Sequence, residues 1–264
     1  MSEPRTTVIM PAYNAHGTIR ASVESALAQT VPDLEVIVVD DGSDPPIADA
    51  LADVRDPRLR VLRHPRNRMA PAARNTALAA ARSPFVSQLD SDDLWERDYL
   101  ESVLPEFEDP RVGLVYTNAR ILGHPHGQEV TITVPDVHPI DTFPKIAEQN
   151  PMAAVTVTMR TDAVRAVGGY AEWVWVCDDY HLYLKLAHAG WRFAYVDRPL
   201  AVYRWPEPGR GQSYDEGPRE RDVLKMYAGF VLRHPLTPGP RRQVRARVKQ
   251  ELRRRREGGF PRRR

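Results

Sequence analysis

A single cysteine, Cys177, stands among 264 residues, which excludes an internal disulfide and any cysteine-rich metal centre. No apolar run approaches the ~20 residues that a membrane-spanning helix needs. The opening stretch MSEPRTTVIMPAYN lacks the basic, apolar and small-residue order of a secretory leader, so a cytoplasmic protein is expected. Gly-x-Gly-x-x-Gly follows none of the strand-like runs, and Gly-x-x-x-x-Gly-Lys-Ser/Thr is absent. Dinucleotide redox chemistry and P-loop hydrolysis are therefore disfavoured. What is present, 42% hydrophobic and 27% charged residues, is the make-up of a soluble globular chain long enough to bury a sizeable core.

The near-neutral total of +2 hides an asymmetry. Arg241 to Arg264 carries twelve Lys or Arg against two Glu, a local +10 that leaves residues 1–240 at −8. An acidic body with a basic tail points to a tail that meets an anionic surface, or to a solvated end. Nucleic acid is a poor fit, because the body would repel phosphate and a single aromatic, Phe260, accompanies the tail arginines.

The first ~120 residues alternate strand and helix signals, as parallel α/β units do. TTVIM is a β-branched run ended by Pro11, and Ile19, Val23, Ala26 and Leu27 follow at helical spacing. LEVIVVD reads as a strand covered on both faces, RVLRH as a shorter one, APAARNTALAAAR as a helix, and PFVSQLD as a fourth strand. A helix is expected over Glu96–Phe107 and a strand at VGLVYTN. Further on, GHPHGQEVTITVPDVHP reads as a hairpin or lid, AAVTVTM as a strand, and DDYHLYLKLAHAG as a buried helix. RFAYV and LAVYRW read as two strands, and a helix is expected from Glu216 to about Val231. Pro235, Pro238 and Pro240 then suggest a linker to the tail. The expected organisation is a nucleotide-binding half (1–120), an acceptor-side half (121–234) and a proline-rich linker with basic tail (235–264).

Acids collect where the strands end. Asp40 and Asp41 close one strand, and QLDSDDLW places Asp90, Asp92 and Asp93 after another. In an open parallel sheet, ligands sit beyond those ends. Carboxylates hold phosphate only through a cation, and oxygen ligands favour Mg²⁺ or Mn²⁺. If DSD stays extended, Asp90 and Asp92 point apart, one toward a metal and the other toward a sugar hydroxyl. A calcium loop starting at Asp90 fails, because Trp95 stands where glycine is required.

VIMPAYN, LEVIVVDDGSD, ARN, QLDSDDLW, VGGY and CDDYHLYLKLAHAG occur in the order and approximate spacing of family 2 glycosyltransferases, and the chain resembles that family from about Thr6 to Arg204. The resemblance implies the GT-A fold, an α/β architecture with a mostly parallel central sheet flanked by helices and a smaller acceptor-side subregion. It also implies a nucleotide-sugar donor, a UDP-sugar by preference, and transfer with inversion to an unknown acceptor. A glycan, a lipid-linked intermediate and a small metabolite all suit as acceptor. Carried over, Tyr13 stacks on the base with Pro11 beside it, and Asp41 bonds the base edge. Asp90 and Ser91 touch the ribose or donor sugar, Asp92 ligates Mn²⁺ or Mg²⁺, Arg74 serves the pyrophosphate, and Asp179 is the general base.

Other readings stay open for some of these. Tyr13 suits a core, Arg74 a helix surface, and Asp178 the N-terminal dipole of a helix. Trp173, Trp175 and Trp205 suit either an acceptor platform or packing. Two departures from the family pattern stand out. Met69 occupies a run where relatives often carry glycine. Trp205, Pro206 and Glu207 follow Tyr203–Arg204 where many carry histidine, leaving Glu207, or waters and phosphates, to complete a metal shell. A sugar-1-phosphate nucleotidyltransferase is the rival enzyme, but PAYNAHGT has no basic residue to hold a triphosphate. A binding relative without turnover is the non-enzymatic rival. The tail adds an anionic membrane surface as an expected partner, with peripheral attachment.

Overall fold

The computed structural model describes residues 3–124, 127, 129–131, 143, 145–148, 150–205, 216–236 and 238–256. Eight strands form one sheet: β1 (Thr6–Ala12), β2 (Leu34–Asp40), β3 (Leu59–Arg63), β4 (Phe85–Gln88), β5 (Leu94–Trp95), β6 (Val112–Leu122), β7 (Val157–Arg160) and β8 (Arg192–Arg204). Their spatial order is β3-β2-β1-β4-β7-β6-β8-β5. The first four in that order run parallel. Beyond β4 the sheet is mixed: β7 is antiparallel to both β4 and β6, β8 runs parallel to β6, and the two-residue β5 pairs antiparallel with β8.

Period-2 alternation sorts the strands' side chains onto two cores. Val8, Met10, Val36 and Val38 face α1 (Ile19–Leu27) and α4 (Tyr99–Val103). Ile9, Ile37 and Val39 face α3 (Ala70–Ala80), α6 (Thr161–Ala166) and α7 (Asp178–His188). Every residue of β2 is buried, as a strand with both faces covered requires. In α1 the buried Ile19, Ser22, Val23 and Ala26 follow the helical repeat, and Pro71 sits in the first turn of α3, where its missing N–H costs nothing.

Several expected elements take another form. The helix after Glu96 is a five-residue α4 followed by a 3-10 turn, Leu104–Glu108, which Pro105 favours. RFAYV and LAVYR are one thirteen-residue strand, β8, whose register against β6 shifts on both sides of Asn118, where Thr117 faces Val196 and Asn118 faces Pro199, and again between Val112 and Leu114. Pro199 lacks the N–H that a continuous ladder uses, and a shift of register absorbs the loss. Of the expected hairpin, residues 129–131 fold back antiparallel onto β6, with Ile121 N–H donating to Glu129 O and Thr131 N–H to Ala119 O. Residues 132–142 lie outside the described residues.

The C-terminal stretch is also helical. Beyond the short α2 (Ile47–Ala50) and α5 (Lys145–Glu148), α8 runs Glu216–Arg233 and α9 runs Pro238–Arg256. In place of the expected linker from residue 235, α9 begins at Pro238, close behind the end of α8 at Arg233. Pro238 and Pro240 do not break α9, because they occupy its first turn, where backbone N–H groups have no intrahelical partner. Met226, Tyr227 and Phe230 of α8 and Val244 of α9 are buried in the same core as α7.

Candidate active site

The ends of four parallel neighbours converge. Ala12 lies opposite Asp40, Asp40 opposite Arg63, and Ile9 opposite Gln88, so the chain leaves β1 at Tyr13, β2 at Asp41, β3 at His64 and β4 toward Asp90 along one edge of the sheet. Asp40 is buried and accepts from the N–H groups of Ser43 (2.8 Å) and Ile47 (3.1 Å), so it shapes the turn. Gly42 lets that turn form: it adopts φ +79°, and a Cβ there would stand 2.6 Å from the carbonyl carbon of Arg66.

Asp41 is also buried, and the Arg68 N–H bonds both of its oxygens at 3.0 Å. His64 Nδ1 lies 2.6 Å from Asp41 Oδ1, and Nε2 lies 2.9 Å from Thr76 Oγ1. Because the carboxylate only accepts, Nδ1–H donates, and in the neutral ring Nε2 accepts from the Thr76 hydroxyl. Asp41 Oδ2 retains a lone pair for a further donor. Sequence reading missed His64; its position at the end of RVLRH, beside an acid-tipped strand, was the available signal. Tyr13 is 53% exposed. Its neighbour Asn14 (φ +51°) is tied to the β2 turn through Ser43 Oγ and the Asp44 N–H.

Arg74 is the hub. It lies on the buried face of α3, and its Nη2 reaches Asp90 Oδ1 while its Nη1 reaches Asp178 Oδ2, both at 2.7 Å. Tyr170 lies below it, with its ring centroid 5.8 Å from the guanidinium. Burial opposes the charge, but Asp178 and Asp90 outweigh it and hold the guanidinium well above its ordinary pKa. Arg74 Nε, Gln88 Nε2 and the Tyr170 hydroxyl, all buried, have no hydrogen-bond partner among the described residues. A buried polar atom without a protein partner calls for solvent or a ligand.

The three acids of DSDD divide the work. Asp93 is buried, accepts from the Arg204 N–H at 2.8 Å and ties the end of β8 to the turn; burial holds its carboxyl well above the usual range. Asp92 is exposed and has its pKa pushed up to about 6, first by the dehydrating surround and then by Asp90. Ser91 lies between them, partly covered. Described residues contain no cluster of three or more His, Cys, Asp or Glu placed to hold a metal. Asp92 with the second oxygen of Asp90 is a two-carboxylate set, which suits Mg²⁺ or Mn²⁺ completing its shell with water and phosphate oxygens rather than an all-protein cage.

Asp178 and Asp179 open α7, where the helix dipole favours acids. Asp178 is buried, and burial raises its pKa despite Arg74. Asp179 is partly covered and accepts from the Tyr180 N–H; burial and then Asp178 push it up to about 7. The loop leading into α7 is clamped by Asp222 of α8, a residue without a sequence signal. Its Oδ2 accepts from the N–H groups of Trp175 (2.8 Å) and Val176 (3.0 Å). The tryptophans pack on different elements. Trp175 lies under Lys225 and Trp173 under Arg233, both cations of α8, while Trp205 meets the ring of His124 edge-on at 4.3 Å. Trp173 also lies so close to Gly229 that a Cβ there would come within 2.2 Å of the indole. Glu207 lies outside the described residues.

Comparison with known proteins places this geometry. The profile described as Glycosyl transferase family 2 matches residues 7–153, and that of Glycosyl transferase family group 2 matches residues 85–256. The chain is 34% identical over 241 residues to a pre-mycofactocin glycosyltransferase of Mycobacterium tuberculosis, covering 89% of this chain and 49% of that protein. It is 31% identical over 202 residues to a chondroitin synthase of Pasteurella multocida, covering 74% of this chain and 20% of that protein. The chain thus spans from one-fifth to about half of these curated relatives. Among solved structures, the mannosyltransferase PcManGT of Pyrobaculum calidifontis, in complex with GDP-Man and Mn²⁺, superposes with a TM-score of 0.67 at 25% identity over 92% of this chain and 68% of that one. TarS 1-349 of S. aureus, in complex with UDP-GlcNAc, superposes with a TM-score of 0.71 at 18% identity over 94% of this chain and 72% of that one, a likeness of fold. The fold is GT-A, and the chain belongs to glycosyl transferase family 2.

Proposed function

We propose that the chain is an inverting, metal-assisted glycosyltransferase that moves a sugar from a nucleotide-sugar, with UDP as carrier, to an acceptor hydroxyl. The observation that carries this reading is Arg74, whose guanidinium joins Asp90 on the donor side to Asp178 beside Asp179 on the acceptor side.

Residues 1–120 form the donor half. Tyr13 offers its exposed ring to the base with Pro11 beneath the turn, and the spare lone pair of Asp41 Oδ2 takes a base N–H. Asp90 and Ser91 face the ribose and the sugar, and Arg74 sets positive charge behind the diphosphate. Asp92 and Asp90 would hold Mn²⁺ or Mg²⁺, which supplies positive charge to the departing diphosphate. Residues 121–234 form the acceptor half. There the Asp179 carboxylate takes the proton of the attacking hydroxyl as it approaches the sugar face opposite the nucleotide, so one base suffices. Asp178 keeps Asp179 basic by repulsion, and Trp175 lines the acceptor entrance. Beyond residue 234, the basic tail is the part that meets an anionic surface.

The test is calorimetric titration with UDP, GDP and dTDP, with and without Mn²⁺. Metal-dependent binding selective for UDP is expected. GDP preferred over UDP would overturn the carrier assignment, binding indifferent to metal would overturn the role of Asp92, and no binding by folded protein would overturn the donor site altogether.

A further inference from the structure

We infer that α9 seats the protein on an anionic lipid bilayer, with one face of the helix laid along the headgroups and Leu252 entering them. The inference deepens the tail's proposed role and is independent of the donor chemistry. Arg241, Arg245, Lys249 and Arg253 recur every four residues and Arg242 flanks them, so the five share one side of the helix. All five are exposed, and no hydrogen bond or ion pair engages them among the described residues. The opposite constraint comes from Val244, which is 1% exposed and packed into the core, and from Val248, packed partly beside it. The contacts of α9 with α5 and α8 therefore hold the helix in one orientation, with its basic side turned outward. At ~1.5 Å per residue the basic row from Arg241 to Arg253 extends roughly 18 Å along the helix.

The occupant is chosen by what shares the face. Leu252, 40% exposed, lies four residues after Val248 and three after Lys249, where the apolar row of Val244 and Val248 emerges from the core at the margin of the basic face. An apolar side chain there gains by leaving water for the acyl boundary, and gains nothing against a phosphodiester backbone. Residues 1–240 carry a net −8, which repels a long polyanion free to wrap the body, whereas a planar bilayer need touch only α9. No aromatic residue stands between Arg241 and Arg256 to stack on bases. Leu232, 84% exposed near the end of α8, lies just before the turn into α9 and adds a second apolar point at that end.

The experiment is co-sedimentation of the full chain with phosphatidylcholine vesicles, and with vesicles containing about one-third phosphatidylserine, at low and at physiological salt. Expected are binding to the anionic vesicles only, weakened by salt, and a loss of at least ~tenfold when Arg241, Arg245, Lys249 and Arg253 are all changed to Glu. Leu252→Ser is expected to weaken binding a few-fold while keeping the salt dependence. All of these side chains are exposed, so unchanged thermal melts confirm folding. Equal binding to both vesicle types, undiminished binding by the charge-reversed variant, or binding to duplex DNA without binding to vesicles would each overturn the inference. UDP titration of the same preparations separates its failure from failure of the donor site.

Discussion

Arg74 Nη1 donates to Asp178 Oδ2 at 2.7 Å, joining α3 to the first turn of α7 across 104 residues of chain. The guanidinium is 7% exposed and the carboxylate 4%, so neither charge can turn to water if the other is lost. Arg74→Met is expected to destabilise the fold by about 3–5 kcal/mol at neutral pH, since removing one partner strands the other. Arg74→Lys keeps a cation but cannot span both Asp178 and Asp90 with one nitrogen, and should cost less stability yet still lose nucleotide affinity. Urea unfolding with nucleotide titration checks both, and a Met variant as stable as the parent would refute the hub.

Asp179 carries its own pH signature. A general base works as the carboxylate, and its pKa stands at about 7, so activity should rise with pH through that value. The stability sign is opposite. Between the ordinary carboxyl range and about 7 the folded state holds the extra proton, so stability falls as pH rises across that window. Asp179→Asn should thus lose ~10²–10⁴-fold in turnover, retain UDP binding, and melt higher than the parent at pH above 7. A variant that keeps its turnover would remove Asp179 from the mechanism.

Met69 adopts φ +72° with ψ 160°, a backbone conformation that L side chains avoid, immediately before α3. Such strain costs on the order of 1–3 kcal/mol, against roughly 0.5–1 kcal/mol for the freedom glycine gains on unfolding. Met69→Gly should therefore stabilise the protein by about 1 kcal/mol and raise its Tm by a few degrees. Met69→Ala, which keeps a Cβ, should not. Calorimetric melts of the pair decide the matter.

Asp222 holds two backbone amides of the loop before α7. In Asp222→Ala the Trp175 and Val176 amides should exchange hydrogen about ten- to a hundredfold faster, the loss of ~1–3 kcal/mol of local hydrogen bonding. The Arg68 amide, bound to Asp41 on the far side, should be unaffected. Exchange monitored residue by residue separates this local release from global unfolding, which would speed all of them.

The strands were legible because their composition repeats what a covered parallel sheet demands: β2 is apolar throughout and buried throughout. The acids at strand ends were legible as a cluster, though the structure gives Asp40 and Asp93 to the turns, where they accept backbone N–H groups. What the order of residues conceals is long-range partnership. Asp222 looks like any helix acid until α8 folds back, and His64 looks like a strand end until Asp41 arrives beside it. Pro238 and Pro240 misled because proline breaks a helix interior yet suits its first turn. Met69 was visible as a departure from the family pattern, and the positive φ supplies the physical reason glycine is common there.

The short motifs end near Arg204, but the family match runs on to residue 256 and so does the packing. Met226, Tyr227 and Phe230 are wholly enclosed, Trp173 rests on Gly229, and Val244 reaches the same interior. A shortened chain cut after β8, attractive to anyone trimming toward the motifs, would uncover these aromatic and aliphatic surfaces beside α7, whose first turn carries Asp178 and Asp179. Such a fragment would cling to chaperones and to itself. The C-terminal helices are thus part of the folded body itself, closing the core against which α7 is packed.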